Sequence, residues 1–570
     1  MDTDKVVRLL NNIADLMDIK GEQFFKTRAY RMAAETLREI EEPIDVLVDE
    51  QRLQDLPGIG KAIAKKISTF VTTGSLPYYE ELIKEVPPSL LDLLDIQGLG
   101  PKKVAVLYKK VGITTIDELQ KAARQHKLQD LDGFGATTEN NILRGIALQS
   151  KTSGRSLLHH ALQQGNQYVD YLKKQSEIDQ ISIAGSLRRR KETIGDIDIL
   201  VSSSEPDRIM DAFSEYHLVD EVMLKGKTKT SVRLNDGIQV DLRVVENKSF
   251  GSALQYFTGS KEHNVLLRSL ALKNDMKLNE YGVFSKGTDE YLAGKTEQEV
   301  YETIRLPFIP PELRENRGEI DAAHNNSLPH LVQLEDIKGD LHVHSTYSDG
   351  INSIEEIVTT AEKLGYEYIG ITDHSQSLKV ANGVTVEDVQ KKCDHIKKIN
   401  KNSNITVLCG TECDILKDGS LDYSDETLKK FDYVGIGIHS LFKMNKKEAT
   451  HRILTALDNP LVTFLAHPTC RMIGHREGFE LDMELLFDKA VETNTFLEIN
   501  AFPDRLDLND INVKRAKDKG VKFILGSDSH SIQHLPNMQY GVATARRGWL
   551  EKQQVLNTTS VSRLKQILNG

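Results

Sequence analysis

Two groups of residues stand at spacings suited to phosphoryl chemistry. In the first, Ile183 to Val201 reads as a short apolar strand ending in Gly185-Ser186, a basic turn Arg188-Arg189-Arg190-Lys191, and a second strand Gly195-Asp196-Ile197-Asp198-Ile199. Side chains of a strand alternate between faces, so Asp196 and Asp198 share one face, roughly 7 Å apart, while Ile197 and Ile199 turn to the core. Two carboxylates on one face can hold a pair of hard cations against a triphosphate. Gly185 lets backbone N–H groups approach a phosphate, and Ser186 opens a following helix towards it. A bare Asp-x-Asp reads equally well as a solvated edge strand. The upstream Gly-Ser and a further acid, Asp241, on the alternating strand Gln239-Val240-Asp241-Leu242-Arg243 move the reading to nucleotidyl transfer.

The second group begins after residue 339, where strands alternate with helices and most strands end in a metal-ligand type. The series runs Asp340-Leu341-His342-Val343-His344 with Asp349 beyond it, Thr372-Asp373-His374, Cys409-Gly410-Thr411-Glu412, Ile438-His439, Ala466-His467, Leu497-Glu498-Ile499-Asn500 and Ser527-Asp528-Ser529-His530. One histidine of this kind is commonly structural. Six, with Asp349, Glu412 and Asp528, call for metal, and imidazole with carboxylate suits Zn²⁺, Mn²⁺ or Fe²⁺. Seven strand–helix repeats predict a barrel whose site gathers at the C-terminal strand ends.

The elements that must carry these groups fit a long multidomain chain. It has 570 residues, 39% hydrophobic and 28% charged, with a net charge of −11. No apolar run spans a bilayer and the N-terminus lacks a signal-peptide pattern, so a cytoplasmic, nucleoid-associated protein is expected. The four cysteines (Cys393, Cys409, Cys413, Cys470) give no disulfide framework and are expected as reduced thiols. Residues 1–320 hold 44 basic and 49 acidic side chains, so any nucleic-acid surface must be local.

Helical spacing of Val6, Leu9, Leu10, Ile13, Leu16 and Met17 predicts helices over 3–50. Three Gly-x-Gly turns follow, Gly58-Ile59-Gly60, Gly98-Leu99-Gly100 and Gly133-Phe134-Gly135, each leading into a helical pattern. Such turns offer N–H groups to a phosphate, and Lys61, Lys65, Lys66, Lys102 and Lys103 add charge. They resemble helix–hairpin–helix modules, with the third degenerate. Residues 305–338, rich in Pro and Asn, read as a linker.

With Tyr256-Phe257-Thr258-Gly259-Ser260, Asn264 and Arg268 added, order and spacing over 1–320 resemble the family X DNA polymerases. The resemblance implies Mg²⁺ or Mn²⁺ on the catalytic Asp196, Asp198 and Asp241. Gly185, Ser186, Arg189, Gly195, Tyr256, Phe257, Gly259 and Asn264 would bind the dNTP. Lys26, Tyr30, Gly58, Gly60, Lys66, Gly98, Gly100, Arg243 and Arg268 would meet DNA, with Lys26 and Tyr30 at a gap's 5′-phosphate. Lys66 falls where some relatives keep a Schiff-base lysine, and Lys261 departs from an acid found in some of them.

Residues 339–570 resemble the PHP (polymerase and histidinol phosphatase) phosphoesterases, which implies up to three divalent metals. The carried-over sets are His342, His344, Glu412 and Asp528; Glu412, His439 and His467; and Asp349, His374 and His530, with Arg471 a candidate for substrate phosphate. The resemblance predicts a multidomain α and α/β chain with these parts: helical domains over 1–85 and 86–150, a nucleotidyltransferase palm over 151–250, a thumb over 251–315, a linker over 316–338 and a seven-stranded (β/α) PHP barrel over 339–570. The implied enzyme is a monomeric gap-filling repair polymerase with a 3′–5′ exonuclease and AP-endonuclease or 3′-phosphodiesterase activity, acting on gapped or primer–template DNA and no membrane. A small-molecule phosphatase fused to a different nucleotidyltransferase, or an inactive DNA scaffold, are the rivals. The tandem hairpins and the filled ligand sets stand against them.

Overall fold

The computed structural model describes residues 3–569 apart from 39, 41, 95, 97, 98, 130, 132, 153 and 176; for 4, 24, 147–152 and 569 it describes backbone only. The chain forms two compact units, one of residues 1–153 with 473–477, the other of 154–472 with 478–570.

The first unit is helical. Thr3–Lys20 and Phe24–Arg38 lead, and all six apolar residues that predict the opening helix are buried along one stripe. Helices Lys61–Thr73, Pro101–Val106 and Ala136–Thr152 each follow a Gly-x-Gly turn. Ile116–Arg124 starts at a capping box, with the Thr115 hydroxyl accepting from the Glu118 N–H and the Glu118 carboxylate accepting in return. Leu10, Ile13, Leu37, Ile67, Leu90, Val104, Leu119 and Ile142 join in one core.

In the second unit a five-stranded sheet carries the first acidic group. Its strand order is Gln180–Ile183, Asp196–Ser202, Gln239–Val245, Lys229–Leu234 and Val219–Lys225, with only the Asp196–Ser202 and Gln239–Val245 pair parallel. Ile197, Ile199 and Val201 bury against Leu162, Tyr168 and Val240, which turns the aspartates the other way. Helices Phe250–Thr258 and Lys261–Lys273 then lead to a three-stranded sheet of Met276–Asn279, Gly282–Ser285 and Tyr291–Ala293.

The stretch 305–338 connects the halves but is not a loose linker. Ile309, Leu313, Ala323 and Val332 are fully buried, as is Arg314, whose Nη1 lies 2.6 Å from Glu297. Pro310 and Pro311 open a 3₁₀ turn, Pro311–Leu313, whose Leu313 packs into the core, where composition alone reads a solvent-facing segment.

Beyond it, seven parallel strands pair in chain order: Gly339–Val343, Tyr368–Ile371, Thr406–Asp414, Tyr433–Gly437, Phe464–Leu465, Phe496–Asn500 and Phe523–Gly526. A Val343–Ser529 bridge, with the His344 N–H donating to Ser529 O at 2.8 Å, brings first and last together, so the barrel is near-closed. Leu341, Tyr368, Leu408, Tyr433, Phe464 and Ile524 form one core cluster, and a larger one gathers the helices' apolar stripes. The expectation of four reduced thiols is corrected in part. Helix Val386–Ile399 lies on the strand Thr406–Asp414 and brings Cys393 and Cys409 into a disulfide, while Cys413 and Cys470 stay outside it as buried thiols.

Candidate active sites

Strand register delivers the carboxylates. Asp198 pairs with Asp241 and Asp196 with Gln239, and donor oxygens of Asp196, Asp198 and Asp241 all lie within 4.8 Å of one another. Burial, then the charges of Asp196 and Asp241, push the Asp198 carboxyl up to about 7, and burial with Asp241 raises Asp196 as well. Burial would raise Asp241 too, but Lys229, with Nζ 2.6 Å from Oδ2, and Gln239 hold it below its ordinary value. Three convergent carboxylates, two of them driven towards protonation by burial and by their acidic neighbours, are a donor set suited to divalent ions. Gly185 has φ +63°, and a Cβ on it would collide with the Asp198 carboxylate. Its first service is therefore room for Asp198, a cause the sequence pattern did not suggest.

Around this centre, Arg189 is held on two sides: Nε meets Glu315 Oε1 at 3.0 Å and Nη1 donates to Thr258 O at 2.5 Å. Ser186 lies in the short helix Gly185–Arg188. Arg155, not singled out from sequence, donates from Nη2 to Thr193 O at 2.6 Å, and its Nη1 would be 3.1 Å from a Cβ on Gly195. Its charge also reaches Asp196. Tyr256 and Phe257 meet edge to face at 5.1 Å, and the Arg243 guanidinium lies 4.3 Å over the Phe257 ring. The Asn264 amide is engaged within the fold, with Oδ1 accepting from Gln255 and Nδ2 donating to Tyr256 O, both at 2.7 Å. Arg268 Nε donates to Asn264 O at 3.3 Å. Gly259, at φ +71°, precedes a cis peptide to Ser260.

In the helical unit, Gly58 (φ +75°) turns the chain and Gly60 caps the helix Lys61–Thr73. Gly100 caps Pro101–Val106, while Gly98 lies outside the described residues. The third turn is built like the first. Gly133 has φ +80°, and the Phe134 N–H donates to Leu131 O at 2.9 Å, as the Ile59 N–H does to Leu56 O at 3.3 Å. Lys26 is exposed beside Glu22, with 3.1 Å between charges. Tyr30 is buried, and its hydroxyl accepts from the Lys66 ammonium. That ammonium lies 4.0 Å over the Tyr78 ring and is lowered below its ordinary pKa by burial.

At the barrel mouth Glu412 is the hub. Oε1 lies 3.0 Å from His439 Nε2 and 2.8 Å from His467 Nε2; Oε2 lies 3.0 Å from His374 Nδ1 and 3.3 Å from His342 Nε2. Donor atoms converge in three overlapping groups: His342, His344 and Asp528; His374, Glu412 and His439; and His344, Asp349, His374 and His530. His344 and His374 thus each stand between two groups, a sharing the carried-over sets did not include. Nitrogens of His342, His344 and His374 and Glu412 Oε2 are buried without a hydrogen-bond partner among the described residues, as metal donors would be. Burial and the neighbouring imidazoles His530 and His374 lower His344 to about 3, and burial with Arg505 lowers His467 to about 4. Both stay neutral, the ligating form.

Acids that the sequence reading left without a role orient these ligands. Glu498 Oε1 meets His342 Nδ1 at 2.6 Å, and its other oxygen accepts the His467 N–H at 2.6 Å; Asp414 Oδ1 meets His439 Nδ1 at 3.0 Å. Glu498 lies in a strand end already recognised, and Asp414 two residues past Glu412 where the strand runs on, so alternation carried further could have found it. Asp373, paired with buried Lys392 at 2.7 Å, accepts from the Ser345 N–H and the Ser348 hydroxyl and so braces the loop to Asp349. The expectation for Arg471 is corrected. Its Nη2 lies 2.6 Å from Glu192 and its guanidinium donates to Arg505 O and Leu506 O, so it ties the barrel to the basic turn ahead of Asp196. Arg505 stands nearer the donors, with Nε 3.5 Å from Asp528.

Comparison with known families agrees with this architecture. Residues 1–76 match a helix-hairpin-helix domain, 90–147 a SAM-like helix-hairpin-helix tandem, 253–315 the DNA polymerase beta thumb and 340–562 the PHP domain. The tandem takes in the third Gly-x-Gly turn. The DNA polymerase/3′–5′ exonuclease PolX of Bacillus subtilis is 39% identical over 566 residues, 99% of this chain and 98% of that protein. DNA polymerase lambda of Rattus norvegicus is 21% identical over 54% of this chain and 56% of its own, and a probable phosphatase of Clostridium acetobutylicum 28% identical over 34% and 78%. The chain therefore belongs to the family X DNA polymerases that carry a C-terminal PHP domain.

Proposed function

We infer that this enzyme, a DNA polymerase with a 3′–5′ exonuclease, fills short gaps in duplex DNA and trims the 3′ end with the barrel site. The observation that carries the reading is one compact unit holding two separate metal-donor clusters, Asp196-Asp198-Asp241 and eight barrel residues that include Glu412, with His467 beside it. Divalent ions bound there, Mg²⁺ or Mn²⁺ on the aspartates and Mn²⁺, Zn²⁺ or Fe²⁺ in the barrel, would lower the pKa of the attacking oxygen and neutralise charge on the transferring phosphate. The chain's residues do the rest. Arg189, Arg155 and Ser186 hold the triphosphate, Tyr256 and Phe257 pack on the sugar, and Asn264 on release from Gln255 meets the base edge. The hairpins grip backbone phosphates without reading sequence. Incision at abasic sites and removal of blocked 3′ ends are the same phosphodiester chemistry at the barrel.

The direct test is a one-nucleotide-gapped, 5′-phosphorylated duplex with dNTPs and Mn²⁺, followed for extension and degradation together. One-nucleotide addition with 3′–5′ trimming when dNTPs are withheld is expected. Turnover of histidinol phosphate without primer extension would sink the reading.

Lys66 supports a further activity at the gap. Partial burial between Tyr30 and Tyr78 favours the neutral amine, the form that attacks the aldehyde carbon of a 5′-deoxyribose phosphate and loses water to give an imine. Borohydride should trap a covalent protein–DNA adduct on such a substrate. Lys66→Ala should lower its yield on the order of 10²-fold, and equal trapping by that variant would refute the role.

Arg505, in place of Arg471, is the residue proposed to hold the scissile phosphate at the barrel. Arg505→Ala is expected to lower exonuclease kcat/KM about 10²-fold with primer extension unchanged. Elemental analysis should show the same bound metal, since loss of metal would make Arg505 a prop for Asp528.

A further inference from the structure

The basic turn that leaves the Gly185–Arg188 helix is held from the barrel side. Glu315 Oε1 meets both Arg189 Nε and Arg547 Nη1, each at 3.0 Å. Arg547 Nη1 also donates to the Arg189 carbonyl at 2.6 Å, and Nη2 to Asp510 at 2.7 Å. Arg317 lies 3.1 Å from the same Asp510 oxygen and donates to the Arg547 carbonyl at 3.0 Å. Arg547 closes the helix Met538–Arg547, which follows the last barrel strand, and the same helix sends Ala543 into the palm core. The Arg547 side chain is 6% exposed, Glu315 13% and Arg189 11%. Surface ion pairs of long side chains are weak and mobile, whereas forked pairs shut away from water keep one geometry.

We propose that Arg547, a residue of the barrel domain, is a positioning residue for nucleotide addition: it shares Glu315 with Arg189 and anchors the Arg189 carbonyl, so that the PHP domain completes the polymerase's triphosphate grip. The proposal rests on the reading of Arg189 as a triphosphate ligand. With Arg547 in place, Glu315 divides its charge between two guanidinium groups and fixes Arg189 through Nε, leaving Nη2 without a partner among the described residues. Without Arg547, Glu315 closes on Arg189 as a two-pronged pair and takes up that edge, while the carbonyl loses its donor and the turn relaxes. A lysine supplies charge but cannot reach Glu315, the Arg189 carbonyl and Asp510 together.

The test uses the full chain with Arg547→Lys, Arg547→Ala and Arg189→Met, measuring single-nucleotide KM and kcat, exonuclease rate on single-stranded DNA, and Tm. Both Arg547 variants are expected to raise KM for dNTP roughly 10- to 100-fold, with a smaller change in kcat and an unchanged exonuclease rate. Millimolar guanidinium should restore KM in Arg547→Ala. If Arg189→Met raises KM but both Arg547 variants bind dNTP as the parent does, this inference falls alone. If Arg189→Met leaves KM unchanged, the triphosphate reading of Arg189 falls and takes the proposal with it. A drop in Tm with unaltered KM in folded Arg547→Lys would make the contact a domain prop and overturn the proposal.

Discussion

Asp198→Asn is expected to lower primer extension by about 10³-fold or more while exonuclease digestion of single-stranded DNA proceeds at the parent rate. Asparagine keeps the size of the side chain and removes its charge, so the loss reports cation holding and not packing. The register gives the reason. Asp198 lies directly across from Asp241 on the only parallel pair of the five-stranded sheet, and it is the carboxylate that burial and its two neighbours push furthest, to about 7. Replacing it relieves repulsion among the acids, so Asp198→Asn should also raise Tm slightly in metal-free buffer. Gly185→Ala should reproduce the loss of extension by another route. A side chain at φ +63° is strained, and its Cβ would occupy the space of the Asp198 carboxylate. Gly185→Ala at parent kcat would mean that Asp198 can move without cost, and the account of this site would be wrong.

Chain order explains how much of this was legible beforehand. Asp196 and Asp198 are two residues apart, and period-2 alternation places them on one face with no further information. The convergence of the barrel's candidate metal donors was legible because each repeat delivers its own at a strand's C-terminal end, so position in the repeat stands in for position in space. The resemblance already puts Glu412 in two ligand sets, but which of its oxygens meets which ring was not legible, since sequence gives which residues converge and not which atoms face each other. Cation–carboxylate contacts between distant segments were the least visible. Arg547 meets Glu315 across 232 residues and Arg471 meets Glu192 across 279, and no local pattern marks either pair. Arg471 shows the consequence, because a lone arginine near a metal site reads as a phosphate ligand until its partners are known. Asn264 shows a related limit: its place one helical turn before Arg268 was readable, but its engagement by Gln255 and the Tyr256 carbonyl was not.

Glu412→Gln should have the largest effect on the barrel. His344 and His374 each stand between two donor groups, whereas Glu412 touches His439 and His467 through one oxygen and His374, His342 and His344 through the other. Burial would raise this carboxyl, yet His439, His342, His374 and His467 around it hold it well below the usual carboxylate range. A neutral amide replaces one carboxylate oxygen by an N–H₂ group, which cannot hold a metal and instead donates to the imidazole lone pairs that a metal would use. Exonuclease activity is expected to fall by about 10³-fold or more, with fewer metal ions retained per chain by elemental analysis and primer extension at the parent rate. Glu498→Gln provides the graded comparison. It removes charge from behind His342 without removing a ligand, and should cost about 10- to 100-fold. If both variants retain full metal and differ little in rate, the barrel donors are not organised around Glu412. If Glu412→Gln also abolishes primer extension in a folded protein, the two centres do not act separately, and the assignment of polymerisation to the aspartates alone would have to be withdrawn.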